Sequence, residues 1–150
     1  MDREQEPIDY EALAEFRYQI RKFIRFSERA ARDAGVEPQQ HQLLLAVKGM
    51  PPDVAPSIGE VASRLQIVHH SAVELVDRLE EQGLIQRRRN PEDRRQVFLS
   101  LTQKGERVLR ELTVHHRREL ATSGPELASA LRKLLSGTGV REQKKLIRSR

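Results

Sequence analysis

Asp93-Arg94-Arg95-Gln96-Val97-Phe98-Leu99-Ser100-Leu101-Thr102-Gln103-Lys104-Gly105 is the stretch whose reading decides the fold. It opens on charge, passes into alternation and closes on a helix start. Val97, Leu99 and Leu101 recur at period two, which predicts a strand over residues 96–101 with one face turned inward. Thr102 follows at once and suits the N-cap of a helix. Upstream, Leu84 to Arg88 predicts a partner strand. Asn90-Pro91-Glu92-Asp93 between them predicts a type I turn, with Asn first and Pro second. The product is a β-hairpin, a wing, crowded with arginine at 87, 88, 89, 94 and 95.

Working toward the N-terminus, Gly83 predicts the stop of a helix that carries Ala72, Leu75, Val76 and Leu79 as its apolar stripe and runs to Gln82. Gln66-Ile67-Val68 reads as a brief turn before it. Ser57-Ile58-Gly59-Glu60 has the form of a capping box and opens a short helix over Ile58 to Leu65. Helix, short turn, helix is the helix-turn-helix arrangement. The Gly- and Pro-rich connector Gly49 to Pro56 cannot be helical throughout. Before it, Pro38 suits the first turn of a helix running from Gln39 to about Val47, with Leu43, Leu44 and Val47 inward. A long first helix is predicted over Ile8 to Ala34 from Leu13, Phe16, Ile20, Phe23 and Ile24, with Gly35 as its stop.

Toward the C-terminus, Val108, Leu109, Leu112, His116 and Leu120 continue the helix behind Thr102. Ser123-Gly124-Pro125-Glu126 predicts a fresh start and a sixth helix through Leu127, Leu131, Leu134 and Leu135. Gly137-Thr138-Gly139 then breaks the pattern. The expected fold is mainly α with a small β-hairpin wing (α+β). One winged helix-turn-helix domain spans residues 1–150, with its winged-helix part at 38–105. The terminal helices at 8–34 and 106–150 carry apolar stripes that a lone copy leaves partly bare. Burying Leu13, Phe16, Ile20, Leu120, Leu127, Leu131 and Leu134 against a second copy removes that surface, so these helices are expected to dimerise.

The formal net charge is +5 over 150 residues, which raises the expectation of a polyanionic partner. The distribution is uneven: the first fifteen residues are mostly acidic, while basic residues gather in the wing and from Arg141 to Arg150. Aromatic residues make up 4% with no Trp, too few for a binder that stacks single-stranded bases. With no cysteine, disulfides and thiolate metal sites are excluded. No apolar run is long enough to span a membrane and the first residues are too polar for a signal peptide, so a cytoplasmic location is expected. No glycine-rich phosphate loop, cysteine nucleophile or metal-ligand spacing stands out, and an enzyme is the weakest reading. No cofactor or metal is expected. His115-His116 have no obvious set of further metal ligands, although His41, His69 and His70 could approach in space, and a packed or hydrogen-bonded His116 is favoured over a ligand-pocket role.

The run from Asp93 to Gly105 resembles the wing motif of the MarR (multiple antibiotic resistance regulator) family, D-x-R, a short alternating strand, then L-T-x-x-G. Leu75-Val76-Asp77-Arg78-Leu79-Glu80-Glu81-Gln82-Gly83-Leu84-Ile85 resembles the end of that family's recognition helix, and Pro38-Gln39-Gln40-His41-Gln42-Leu43-Leu44 its second helix. The resemblance implies a homodimeric regulator with interlocked terminal helices. Each winged part would read half of a palindromic operator in double-stranded DNA, most often as a repressor, with release by a small-molecule effector. It also implies that Arg95 reaches a minor groove and that Asp93 braces the wing by pairing with an arginine. One departure is Val68-His69-His70, where family members often place small polar residues at the start of the recognition helix.

On this reading the carboxylates Glu80 and Glu81 repel phosphates, so the recognition helix enters the major groove by its N-terminal end. His69, His70, Ser71, Val73 and Glu74 then lie nearest the bases, flanked by Arg78. Glu74 suits acceptance from a cytosine amino group and Val73 a thymine methyl, and Glu74 reads equally well as a solvated helix residue. Phosphate affinity falls to the wing: Arg87, Arg88, Arg89, Asn90, Arg94 and Arg95, although strand alternation turns some of residues 87–89 back against the protein. The rival reading is a helical protein–protein adaptor that keeps a wing without reading DNA.

Overall fold

The computed structural model describes residues 8–137. In chain order the elements are α1 (Tyr10–Asp33), α2 (Pro38–Lys48), α3 (Ile58–Leu65), α4 (His69–Glu81), β1 (Ile85–Arg89), β2 (Val97–Leu101) and α5 (Gln103–Gly137). The strands form a two-stranded antiparallel sheet with Arg87 opposite Leu99 and Arg89 opposite Val97. No helix is long and apolar enough to cross a membrane among the described residues. The basic stretch from Arg141 to Arg150 and the polar start to Glu6 lie outside them.

Local chemistry sets the boundaries. Asp9 accepts from the Ala12 N–H at 2.9 Å and caps α1, so the helix begins at Tyr10 rather than Ile8. Gln40 accepts from the Glu37 N–H at 3.0 Å at the start of α2, with Pro38 at its first position. Ser57 accepts from Glu60 N–H at 3.2 Å and starts α3 as expected. The reciprocal half of that capping box is not made, because the Ser57 N–H donates to the Ala55 carbonyl at 2.8 Å. Helix α4 ends where Gly83 takes a φ of +69°, which lets the Leu84 N–H reach back to the Leu79 carbonyl at 2.9 Å.

Two expectations are corrected. The fresh helix start at Ser123–Glu126 does not occur: α5 runs unbroken through Pro125 to Gly137. The Ser123 hydroxyl donates to the Glu119 carbonyl at 3.0 Å, four residues back, instead of capping a new helix. The apolar stripe also stays in register from Leu120 to Leu127 to Leu131, so nothing in the packing asks for a break. The wing's closing turn is the second correction. It lies at Asp93–Gln96, where the Gln96 N–H donates to the Asp93 carbonyl at 3.0 Å. Asn90 instead accepts from the Glu92 N–H at 3.0 Å in an Asx turn, while its own N–H extends the ladder to Gln96 O at 2.9 Å.

The described residues divide into two compact units, Ser27–His115 and the pair of terminal segments 8–26 with 116–137. The core of the first joins Ala31 and Val36 to Leu43, Leu44 and Val47 of α2, Val61 of α3, and Leu75, Val76 and Leu79 of α4. Leu84, Ile85 and Leu99 of the hairpin and Leu109 and Leu112 of α5 complete it. Burial of this many aliphatic side chains, each contributing about 1.5–3 kcal/mol, is the main force positioning α4 and the wing. In the second unit Gln19 is buried and donates to Glu15 at 2.8 Å and Glu126 at 3.1 Å. His116 packs edge-on to Phe23 and Phe26, with ring centroids 5.8 and 5.4 Å apart.

Candidate nucleic-acid interface

The residues Leu101 to Gly105 act as a latch at the root of the hairpin. The Thr102 hydroxyl donates to the Gly83 carbonyl at 2.6 Å and accepts from the Gly105 N–H at 3.0 Å. The Thr102 N–H donates to the Leu84 carbonyl at 3.1 Å, and the Lys104 ammonium donates to the Gln82 carbonyl at 3.0 Å. The end of α4, the start of β1 and the start of α5 therefore close on one another. A Cβ on Gly105 would lie 2.0 Å from the Leu84 carbonyl oxygen, so only glycine fits there.

From this root the wing projects its charge. Arg88 and Arg89 are exposed on β1, and Arg94 and Arg95 occupy the two central positions of the Asp93–Gln96 turn, also exposed. Asp93 braces that turn by accepting from the Arg95 N–H at 3.0 Å, and among the described residues no ion pair joins it to an arginine. Asn90 donates through its side-chain amide to Gln96 at 3.1 Å. Arg87 behaves differently. Its guanidinium donates to Asp77 at 2.5 Å and Glu80 at 2.9 Å, both on α4. The Asp77 hydrogen bond raises the Arg87 pKa against the lowering effect of partial burial, and the negative charge of Glu80 adds to the rise.

Helix α4 begins at His69, behind Val68 as an N-cap with no side-chain acceptor for the first-turn amides. His69, His70 and Glu74 are exposed, while Ser71 and Val73 are half-buried beside the core stripe. His70 and Glu74 face each other one turn apart at 3.3 Å. Arg78 is exposed in the last turn. The structure brings His69 of α4 and Arg95 of the wing to the same groove, a concavity of about 730 Å³. Asp53 and Glu60 line it as well, acidic neighbours that sequence reasoning missed because they belong to the connector and to α3. Of the histidines, His41 is buried in α2 while His69 and His70 face solvent. Among the described residues no group of three histidines or carboxylates gathers as a metal site would require.

The sequence profile of the MarR family matches residues 34–96, from the end of α1 into the wing. A Bacillus subtilis HTH-type transcriptional regulator, YkoM, is 29% identical over 144 residues, covering 91% of this chain and 92% of that one. The chain is thus similar to MarR-family sequences through its winged-helix part. The MarR-family transcription regulator SP03579 superposes with a TM-score of 0.70 at 24% identity, covering 94% of this chain and 93% of that one. An S. aureus MepR mutant bound to an oligodeoxyribonucleotide gives a TM-score of 0.59 at 17% identity, with 95% and 93% covered. These two likenesses establish the MarR-type winged-helix fold, and the hairpin just described is its wing.

Proposed function

We propose that this DNA-binding transcription regulator grips a palindromic operator as a homodimer and represses transcription from it. The N-terminal end of α4 enters the major groove with His69, His70, Ser71, Val73 and Glu74 toward the bases and Arg78 beside them. The wing's Arg88, Arg89, Asn90, Arg94 and Arg95 follow the phosphates. The observation that carries the reading is the shared groove of Arg95 and His69, which sets the wing tip and the helix start on one concave surface. The MepR relative bound to an oligodeoxyribonucleotide supports the same use of the fold.

Pairing is supported by the apolar side chains left at the surface of the terminal helices. Leu13 is 48% exposed, Leu120 39% and Leu131 41%, with Phe16, Ile20, Leu127 and Leu134 only half covered. A second copy covers such faces, and two-fold symmetry then sets two reading helices one DNA turn apart. Release by a small-molecule effector belongs to this reading through the family alone. Selection of bound duplexes from a random pool tests the proposal. Enrichment of an inverted repeat is expected, and no enrichment over competitor DNA, with the protein folded, defeats it.

A further inference from the structure

Five arginines crowd the wing, yet they are not equivalent. Arg87, opposite buried Leu99 near the root of the hairpin, is turned toward α4, while Arg88 on the other face of β1 and Arg89, one step further toward the tip on the same face as Arg87, stay exposed. Asp77 and Glu80 stand three residues apart on α4, hence on one face, and each takes one terminal nitrogen of the same guanidinium, at 2.5 and 2.9 Å. The Arg87 side chain keeps only 28% of its exposure, against 53% for Asp77 and 44% for Glu80. We propose that Arg87 is a positioning residue, which fastens the wing to the reading helix and masks two of its carboxylates instead of meeting a phosphate.

The physical argument is a comparison of two states. In the observed state both ends of the guanidinium fork make charge-assisted bonds in a partly covered place. Turning the side chain to a phosphate breaks both bonds and leaves two bare negative charges on the helix that approaches the duplex. The exchange replaces one anionic partner by another and adds repulsion, so it brings no gain. A clamp of this kind also fixes the angle between hairpin and helix, and two contacts on one duplex cooperate only when that angle suits both grooves. Lysine does not replace it, since a single ammonium lacks the planar fork that reaches two carboxylates at once.

The inference rests on the DNA-binding reading above, so its test has one arm without DNA. In the free protein, Arg87→Met is expected to speed amide exchange across residues 88–97 by roughly tenfold or more, while the protection of α2 and α3 holds. Asp77→Asn with Glu80→Gln does the same, and it carries this arm alone if Arg87→Met fails to fold. On a selected duplex, Arg87→Met weakens binding by roughly tenfold or more but leaves the slope of log affinity against log salt unchanged. A direct phosphate contact instead contributes about 0.9 to that slope. Arg87→Lys stays close to Arg87→Met, whereas a point-charge contact would be restored by it. Wild-type exchange rates in both variants, or a salt slope lowered by about one in Arg87→Met, overturns the proposal. If the wild-type protein selects no duplex, the functional reading fails, and the exchange arm still decides whether the clamp exists.

Discussion

Gly105 and Leu84 show how one residue can be dictated by another's backbone. The Leu84 carbonyl that a Cβ at 105 would strike already accepts the Thr102 N–H, so it cannot retreat without losing a bond. Gly105→Ala is therefore expected to cost about 3 kcal/mol, at the upper end of overpacking penalties, read as a lowered urea midpoint with an unchanged m-value. Unchanged stability would show that the latch yields. At the same scale, Arg94 and Arg95 occupy the centre of an exposed turn with no acidic partner among the described ion pairs. Arg94→Ala with Arg95→Ala should lower the salt slope of DNA binding by about 1.8 if each meets one phosphate. An unaltered slope would remove the wing tip from the interface. The two predictions differ in kind: the glycine acts on folding and the arginines act on binding.

Among the elements, α5 is the one that departs most from expectation. Its sequence around Ser123–Glu126 has the chemistry of a helix start, yet the helix continues through Pro125. A proline inside a helix forfeits one hydrogen bond and costs about 3 kcal/mol relative to alanine. Pro125→Ala should then raise the melting temperature and leave the helical circular dichroism equal or greater. A fall in either would point to a real break. The remaining helices were legible because apolar spacing and their terminators agreed: Gly35 and Gly83 close α1 and α4, and Pro38 and Ser57 open α2 and α3. The strands followed from alternation, displaced by one residue. What stayed illegible depends on partners distant in sequence. Arg87 meets carboxylates seven and ten positions away on another element, and no local pattern tells which arginine of three will turn inward. The Asp93 turn was hidden for a different reason: an Asx side chain can bond its own loop at 90 or at 93, and only the completed ladder selects between them.

For the molecule as a whole, the proposed dimerisation is the property on which operator geometry would depend. Leu131→Glu places a charge on a leucine that is 41% exposed in one copy and is expected to be covered by the second. Sedimentation at micromolar protein should show a dimer for the wild type and a monomer for the variant, with the affinity for a full palindrome falling toward that for a half-site. A wild-type monomer would count against the paired arrangement. The latch also divides the chain into lengths that evolution can vary and lengths that it cannot. Three bonds of the latch join Gln82 to Leu84 on one side with Thr102 and Lys104 on the other, a fourth ties Gly105 to Thr102, and the tip from Asn90 to Gln96 takes no part in it. Residues inserted at the tip would lengthen the reach toward a groove and leave the root undisturbed. A single residue inserted between Leu101 and Gly105 would carry a side chain into the slot that admits none, so length polymorphism among such chains should be tolerated at the far end of the hairpin and absent at its base.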